Sequence, residues 1–446
     1  MSLPNVYPEH YEINKDSKYY RDLIPRPLFE EYFNNIKKLS IDFLCKLDPS
    51  HAELYKSFVP EIDSFVNQPF FKESMYEMFA GCEDQTGFPF KTTMRSSVAK
   101  MTALIKYNME LKIDKENIEK IQIKKPIYIV SLPRSGSTFT HAVLASDPCA
   151  KTIKLYEHLS PGHKTMTYEG RVGFSNSIIG QINSNSKDFC KCHAMDNVNA
   201  PEEELFFMEL LEHTLCFGTS MPRWEQYRKS SYERDFSDVY KAVLNEMRMS
   251  AVEFPLPENG HFLMKCVSHF MTMVPFFNIM CADEIEARIV WIHREPVDEI
   301  KSAFYLLDNA RARYLGDIGC DDPKWLHESI CKMHNIALKN AISTREKWIA
   351  ENPEREKQIC DIGFNEMVVD PVGVSRRIYE KFGMPFTDEL ALKIKDMVLN
   401  NDPQKKHGRK EKKEDEFTVP DSVVREQYKW YFDKFGKYMP NYWGKN

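Results

Sequence analysis

The chain of 446 residues lacks the features that would take it into or across a membrane. No apolar run approaches the ~20 residues that a bilayer-spanning helix needs. The first ten residues, MSLPNVYPEH, have neither the basic start nor the apolar stretch of a secretory signal. The formal net charge of −6 argues against nonspecific nucleic-acid binding, which needs a strongly positive surface. We therefore expect a cytoplasmic protein with no membrane span and no nucleic-acid partner.

The cysteine pattern indicates reduced, mostly buried thiols rather than a disulfide framework or a cysteine-based zinc site. The 11 cysteines are odd in number and scattered, and their one close pair is Cys190 and Cys192, without the paired C-x-x-C spacing of zinc sites. We find no internal repeat. Hydrophobic residues make up 42% of the chain, enough for a large core, so one large domain with an appendage, or two to three units, is expected.

The most informative segment is 126–138, PIYIVSLPRSGST, which continues into FTHAVLA. A short apolar strand here runs directly into a glycine turn and the start of a helix. Backbone N–H groups at such a turn point toward an anion, Gly136 allows close approach, and Ser135, Ser137 and Thr138 add hydroxyl donors. The pattern predicts a phosphate-binding loop, although a strand–turn–helix corner without a ligand has the same outline.

The loop differs from the nucleoside-triphosphate motif G-x-x-x-x-G-K-[ST]. Ser131 stands where the first glycine belongs, Ser137 replaces the lysine, and the only cation is Arg134. A guanidinium can fork onto phosphate or sulfate oxygens without a metal. This arrangement resembles the 5′-phosphosulfate loop of sulfotransferases, which transfer a sulfuryl group from 3′-phosphoadenosine 5′-phosphosulfate (PAPS) to an acceptor.

A second segment of the same family pattern lies at 287–302. An apolar strand, ARIVWIH, ends at Arg294, and Ser302 follows eight positions later on a helix whose first turn suits Pro296. The resemblance assigns Arg294 and Ser302 to the 3′-phosphate. The carboxyl end of a strand is where open α/β sheets bind ligands. The alternative is that Arg294 pairs with a neighbouring acid on the surface.

A third segment, 364–386, resembles the late strand–loop–helix of sulfotransferases. Asp370 and Pro371 are expected to start a helix that Gly383 ends. The chain departs from the family pattern at Phe364 and Asn365, where tyrosine and glutamate are usual. With this segment, the resemblance covers roughly residues 121 to 446.

The candidates for chemistry lie between the two phosphate elements. Glu157 matches approximately the glutamate base of tyrosylprotein and related bacterial sulfotransferases, and a partly buried carboxylate is a sensible base for an alcohol or phenol. Lys265 resembles the lysine that neutralises charge on the sulfuryl oxygens. His269 matches a histidine of the bacterial branch and is the second candidate base. A capping or surface role for Glu157 and a structural role for His269 are the alternatives.

Two further segments each have two possible roles. Pro201 and the three glutamates after it are expected to begin an apolar helix, where the helix dipole stabilises acidic residues. The alternative is that Glu203 or Glu204 contacts the acceptor. The charged composition of the stretch 405–416 predicts a solvated loop. The resemblance alternatively places Lys406, Gly408 and Arg409 on the 3′-phosphate.

We predict an α/β protein with a central parallel sheet flanked by helices, comprising a helical N-terminal extension (1–120) and a sulfotransferase domain (121–446). The expected reaction is sulfuryl transfer from PAPS, as co-substrate and without a metal, to a hydroxyl of a small lipid-like, polyketide or phenolic acceptor. A homodimer is left open. The alternatives are a P-loop-type phosphotransferase or kinase, and a non-catalytic nucleotide-binding module.

Overall fold

The fold is built on a five-stranded sheet in which all strands are parallel. A computed structural model describes residues 20–67, 69–185, 193, 195–211, 234–315, 323–400 and 417–440. The strands are β1 (Ile127–Val130), β2 (Ala150–Lys151), β3 (His261–Lys265), β4 (Arg288–His293) and β5 (Ile359–Gly363). Their spatial order is β2-β3-β1-β4-β5. The predicted α/β fold class is confirmed.

The register brings the two predicted phosphate elements side by side. Strand β1 occupies the centre, with Ile127 opposite Leu263 of β3 and opposite Arg288 of β4. Because the strands are parallel, their carboxyl ends share one edge of the sheet. The segments that follow β1, β3 and β4 therefore lie close together at this edge. The chain crosses to the far side of β1 after β3, so this edge lies at a reversal of strand order.

The region before the sheet is helical, as the spacing of apolar residues predicts. The helices are α1 (Arg26–Leu47), α2 (Ala52–Ser57), α3 (Val59–Val66), α4 (Pro69–Met78), α5 (Phe88–Ile113) and α6 (Lys115–Lys120). A proline in the first turn suits the start of α1 and of α5, since its missing N–H has no partner in a first turn.

The remaining helices connect and cover the strands. They are α7 (Ser137–Leu144), α8 (Leu155–Leu159), α9 (Tyr168–Asn185), α10 (Leu205–Met208), α11 (Ser237–Glu253), α12 (Pro296–Leu315), α13 (Pro323–Glu351), α14 (Phe364–Val369), α15 (Pro371–Lys381), α16 (Asp388–Asn400), α17 (Asp421–Gln427) and α18 (Lys429–Phe435). The helix predicted after Asp370 is confirmed: the Asp370 carboxylate accepts from the Gly373 N–H, and Gly383 follows the helix at φ +63°.

Successive side chains along the strands point to opposite faces of the sheet and pack into two separate cores. On one face, Tyr128 and Trp291 belong to the same buried cluster as Phe29 and Leu104 of the N-terminal helices. On the other face, Ile129 and Val290 pack with residues of α7, α15 and α16. The described part of 1–120 therefore shares a continuous core with the sheet. The boundary at residue 120 stays a prediction.

Within the described ranges, no helix combines the length and the apolar character that a membrane crossing requires.

Candidate active site

The loop after β1 has the backbone geometry of an anion-binding turn. Arg134 and Gly136 both adopt positive φ, +62° and +83°, and Gly136 immediately precedes α7. Reversal of the chain at these two residues leaves the first N–H groups of α7 without partners in the helix, facing the carboxyl edge of the sheet. Ser135 and Ser137 are buried and Thr138 is half-buried beside them. The local sequence thus builds the predicted turn.

Arg294 and Ser302 both contact this loop. The Arg134 Nε donates to the Ser302 Oγ at 3.0 Å, and the Arg294 guanidinium donates to the Arg134 carbonyl. Arg294 follows β4, and Ser302 lies on the second turn of α12, so strand and helix deliver the two residues to one place. Two arginines thus meet at the same loop, and their positive charges favour the binding of an anion there.

Phe364 closes this cluster from the side. The Arg294 guanidinium carbon lies 4.3 Å from the Phe364 ring centroid, and the same ring packs on Gly136. Phe364 is the first residue of α14 and follows β5. The sequence marked this position only as a departure from the family pattern, and nothing in its local pattern predicts the contact with Arg294.

Lys265, the last residue of β3, lies beside the start of α7. Its Nζ is 3.4 Å from the Thr138 Oγ1, 3.2 Å from Glu203 Oε2 and 3.6 Å from Glu202 Oε1. Burial by itself lowers the pKa of Lys265, but the carboxylates of Glu203 and Glu202 outweigh it and raise the pKa above its usual value. A buried, permanently charged ammonium therefore stands next to the predicted phosphosulfate loop.

The two carboxylates beside Lys265 are functional neighbours that the sequence assigned mainly to the helix dipole. Glu202 is held by Lys265 and by His193, whose Nε2 is 3.2 Å from Glu202 Oε2. Burial would raise the pKa of Glu202, but His193 and Lys265 lower it to about 2. Glu203 also accepts from the Val267 N–H at 3.4 Å.

The position of these glutamates depends on a backbone pairing with a segment that is far from them in sequence. Residues 153–156 pair with 198–202: the Leu155 N–H donates to the Ala200 carbonyl at 3.0 Å, and the Glu202 N–H donates to the Ile153 carbonyl at 3.1 Å. The sequence does contain signals for an ion pair, namely a lysine at the end of a buried strand and three consecutive glutamates. The pairing that brings them together is a tertiary contact that no local pattern contains.

A metal is a chemical alternative at this point. One ligand atom from each of His193, Glu202 and Glu203 lies within 4.8 Å of the others, which is close enough to share a cation. The Lys265 ammonium already lies between the two carboxylates, 3.2 and 3.6 Å from them, and supplies the positive charge there. The donor set thus fits an ion pair with lysine better than a metal centre.

His269 lies nearby but is enclosed. It is fully buried, its Nε2 is 3.0 Å from Glu204 Oε1, and its Nδ1 is 3.0 Å from the Tyr240 hydroxyl. Glu204 in turn accepts from the Lys265 backbone N–H at 3.2 Å. Both ring nitrogens therefore bond to protein groups, and the structural alternative for His269 describes these contacts better than the role of base.

Glu157 bonds to Lys154 and Ser250, and its role as a base stays a prediction. It is the third residue of α8, where its Oε1 accepts from the Lys154 N–H at 3.2 Å and closes a capping box. Its Oε2 accepts from the Ser250 hydroxyl at 2.6 Å. None of these contacts involves the loop or Lys265, so the capping alternative fits the geometry of Glu157.

The third predicted 3′-phosphate element lies outside the described residues. Arg409, with Lys406 and Gly408, falls in 401–416, so its assignment stays a prediction. His141 is on α7, where it is buried and its Nε2 lies 3.2 Å from the Leu263 carbonyl, which makes it part of the packing of α7 on β3.

A parallel sheet with an arginine-bearing anion loop after its central strand and a second arginine after the adjacent strand defines a class of α/β enzymes that transfer anionic groups. A model of the Sulfotransferase family matches residues 126–388, more than half of the chain. The chain belongs to the sulfotransferase family, and the predicted family is confirmed.

Solved structures agree with this fold. Sulfotransferase STF9 from Mycobacterium avium superimposes with a TM-score of 0.61 at 16% identity, covering 81% of this chain and 91% of that one. Sulfotransferase STF1 from Mycobacterium tuberculosis H37Rv gives a TM-score of 0.60 at 15% identity, covering 84% and 97%. At these identities the likeness shows the fold. No curated protein sequence gives a significant match.

Proposed function

We propose that this chain transfers a sulfuryl group from PAPS to a hydroxyl of a small molecule. The observation that carries the proposal is the contact of Arg294 and Ser302 with Arg134. These residues are 160 and 168 positions apart from Arg134 in sequence, yet they form one cationic site at the start of α7. Such a site suits a nucleotide with phosphate groups at both its 5′ and 3′ positions.

In this proposal the loop amides, with Arg134, Ser135, Gly136, Ser137 and Thr138, hold the 5′-phosphosulfate. Arg294 and Ser302 hold the 3′-phosphate, and Arg409 is a further candidate for it. Charge-assisted hydrogen bonds from guanidinium to phosphate are about twice as strong as neutral ones, and fixed backbone dipoles need no reorganisation when charge develops. Binding and positioning of this kind supply most of the rate in related phosphoryl transfers.

Lys265 is proposed to offset the negative charge that develops on the bridging oxygen as the sulfuryl group leaves. Its ammonium contacts Thr138 at the start of α7, and the raised pKa keeps it protonated throughout the physiological range. In the reaction the bond from sulfur to the bridging oxygen breaks, a bond from sulfur to the acceptor oxygen forms, and adenosine 3′,5′-bisphosphate leaves.

For the proton of the acceptor hydroxyl we propose Glu203 in place of Glu157. Glu203 is the carboxylate nearest to Lys265, at 3.2 Å, whereas both oxygens of Glu157 bond to Lys154 and Ser250. A carboxylate suffices as the base if the proton leaves late, after the acceptor oxygen has begun to bond to sulfur.

The acceptor is proposed to be a lipid-like, polyketide or phenolic alcohol. Support comes from the apolar segment that follows the glutamates, where Phe206 and Phe207 are buried next to the acidic group. The sequence places further apolar and aromatic residues up to Trp224, and residues 212–224 lie outside the described residues. A cytoplasmic location and a homodimer likewise stay predictions.

The proposal is tested by turnover with PAPS carrying labelled sulfate and an extract of small alcohols and phenols, followed by analysis of the labelled product. We expect transfer in excess chelator and no transfer from adenosine triphosphate, because Lys265 and Arg134 supply the charge that magnesium supplies in kinases. Strict magnesium dependence with phosphate transfer would favour a phosphotransferase. Tight binding of adenosine 3′,5′-bisphosphate without turnover on any acceptor would favour a non-catalytic module.

A further inference from the structure

A second cavity lies at the edge of the sheet opposite to the candidate active site. It has a volume of about 790 Å³ and is bordered by the amino ends of β3 and β4, the segment before β1, and the turn between α15 and α16. Strands β1, β3 and β4 are four to six residues long, so at about 3.3 Å per residue the two sites are separated by roughly 13 Å or more. Nothing in the proposed reaction uses this cavity.

Arg288 provides a positive charge inside the cavity. It is the first residue of β4 and is half-buried. Its guanidinium makes no hydrogen bond or ion pair with any residue in the described ranges. Burial lowers the pKa of Arg288, and the nearby Glu286 only partly offsets this. A half-buried arginine with no charged partner in contact is costly unless a ligand supplies the negative charge.

His261 provides a second polar group without a partner. It is the first residue of β3, it lines the cavity, and it is only 3% exposed. Its Nε2 is buried and makes no hydrogen bond. Burial lowers the pKa of His261 to about 4, so the ring is neutral near pH 7 and can donate one hydrogen bond to an anionic oxygen. Buried polar atoms in native structures are nearly always paired, so this nitrogen is a hydrogen-bonding group that a ligand or a water molecule can satisfy.

The other charged groups that face the cavity already have partners or lie at its rim. Asp147 accepts from the Tyr379 hydroxyl at 2.7 Å and from the Cys149 N–H at 2.8 Å, and is thereby fixed in the wall. Lys393 pairs with Glu389 at 2.8 Å on α16. The remaining charges, Lys124, Lys125 and Glu258, are exposed at the rim. Asp147 keeps its negative charge but has two hydrogen-bond donors, whereas the Arg288 guanidinium has no hydrogen-bond or ion-pair partner in the part of the chain that the structure describes.

The wall also has an apolar part, which includes Pro148, Met384 and Leu390. The volume falls within the ~300–1,000 Å³ of small-molecule sites, which combine an apolar lining with a few convergent polar groups. We propose that this cavity is a second ligand site, distinct from the donor site, that binds a small organic anion: an apolar body carrying one sulfonate, sulfate, phosphate or carboxylate group. Arg288 and His261 hold the anionic group, and the apolar wall holds the body.

The test is calorimetric titration of the full chain with naphthalene-1-sulfonate, with the neutral 1-naphthalenemethanol as its analogue. Each titration is run without and with saturating adenosine 3′,5′-bisphosphate, which fills the donor site. We expect saturable binding of the sulfonate, and binding of the neutral analogue at least about tenfold weaker, since it lacks the charge-assisted contact. Arg288→Gln and His261→Leu should each weaken the sulfonate, Arg288→Gln by about tenfold or more.

The matched control is Arg95→Gln, which removes an exposed arginine of α5 and should leave the affinity unchanged. The melting temperature without ligand should not fall in Arg288→Gln, because the variant removes a half-buried charge that has no partner. The sulfonate should raise the melting temperature of the wild type and of Arg95→Gln but not of Arg288→Gln.

Three results would overturn the proposal. These are equal affinity in the wild type and Arg288→Gln, the absence of saturable binding up to about 10 mM sulfonate, and binding that disappears when adenosine 3′,5′-bisphosphate is present. The third result would place the sulfonate in the donor site. Failure of the proposed sulfuryl transfer would leave this test unaffected, because its readout is binding at the opposite edge of the sheet.

Discussion

The Phe364 ring packs so closely on Gly136 that a Cβ at this glycine would lie 2.4 Å from Phe364 Cδ2. Gly136 also has a φ of +83°, which side-chain-bearing residues rarely adopt. The turn of the anion-binding loop is therefore fixed both by backbone conformation and by the aromatic residue that also contacts Arg294. The 5′ and 3′ elements of the proposed donor site are joined by one side chain.

Gly136→Ala should damage the donor site. A positive φ costs an alanine about 1 kcal/mol, and the contact with Phe364 forces the loop or the ring to move. We expect a loss of about 1–3 kcal/mol in the free energy of unfolding, measured by urea denaturation, and weaker binding of adenosine 3′,5′-bisphosphate by calorimetry. Wild-type values for both would show that the loop tolerates a side chain here.

Gly173→Ala is the matched control. Gly173 lies on α9, is exposed, and has no neighbouring atom within 4 Å of the position that an alanine methyl group would occupy. Alanine is favoured over glycine in a helix by about 0.5–1 kcal/mol, so this variant should be slightly more stable and should bind the nucleotide like the wild type.

Arg294→Ala should weaken the binding of adenosine 3′,5′-bisphosphate by about 2–4 kcal/mol, because a charge-assisted contact to the 3′-phosphate is lost. Adenosine 5′-monophosphate, which lacks that phosphate, should bind the variant and the wild type almost equally. Calorimetry of both nucleotides measures this difference. Since Arg294 also donates to the Arg134 carbonyl, equal losses for the two nucleotides would mean that it acts by holding the loop.

The sequence predicted those parts of the fold and the site that depend on local pattern. Gly136, Pro296 and Asp370 mark a turn and two helix starts because their backbone preferences act within a few residues. Glu202 and Glu203 illustrate the limit: the pairing of 153–156 with 198–202 places them beside Lys265, while the role of Glu157 as base stays a prediction. Which carboxylate faces the lysine depends on contacts between distant segments, and single-sequence patterns do not contain them.

Stability should fall as the pH drops from about 7.5 to 5, and His141 should contribute to this loss. Burial, with a smaller effect from Lys265, lowers the pKa of His141 to about 4, below the ~6.5 of an unfolded histidine. The unfolded chain therefore binds the proton more readily, so the contribution is full above about pH 6.5 and is lost toward pH 4. Over pH 7.5 to 5 this amounts to about 2 kcal/mol.

The measurement is urea unfolding of the wild type and His141→Gln at both pH values. Glutamine can still donate to the Leu263 carbonyl, which His141 Nε2 contacts at 3.2 Å, but it does not titrate. The variant should lose about 2 kcal/mol less than the wild type over this range. Equal losses would show that other groups cause the acid destabilisation.

The last prediction ranks the candidate bases. If Glu203 takes the acceptor proton, Glu203→Gln should lower kcat by about 10²–10⁴-fold at unchanged donor affinity, and the loss should shrink for phenols that ionise easily. Glu202→Gln is the matched control, because Glu202 lies 3.6 Å from the same Lys265 ammonium but is bound to His193. Equal losses in both variants would mean that the carboxylates act only by holding Lys265.

Glu157→Gln and His269→Asn should instead affect folding. Glutamine at 157 leaves one oxygen for the contacts with the Lys154 N–H and the Ser250 hydroxyl, so we expect a loss of about 1 kcal/mol in stability with most of the turnover retained. His269→Asn breaks the buried contacts with Glu204 and Tyr240 and should be less stable still. If Glu157→Gln is inactive at normal stability and donor affinity while Glu203→Gln is active, the base is Glu157. A glutamate that only caps a helix would affect stability and not turnover alone.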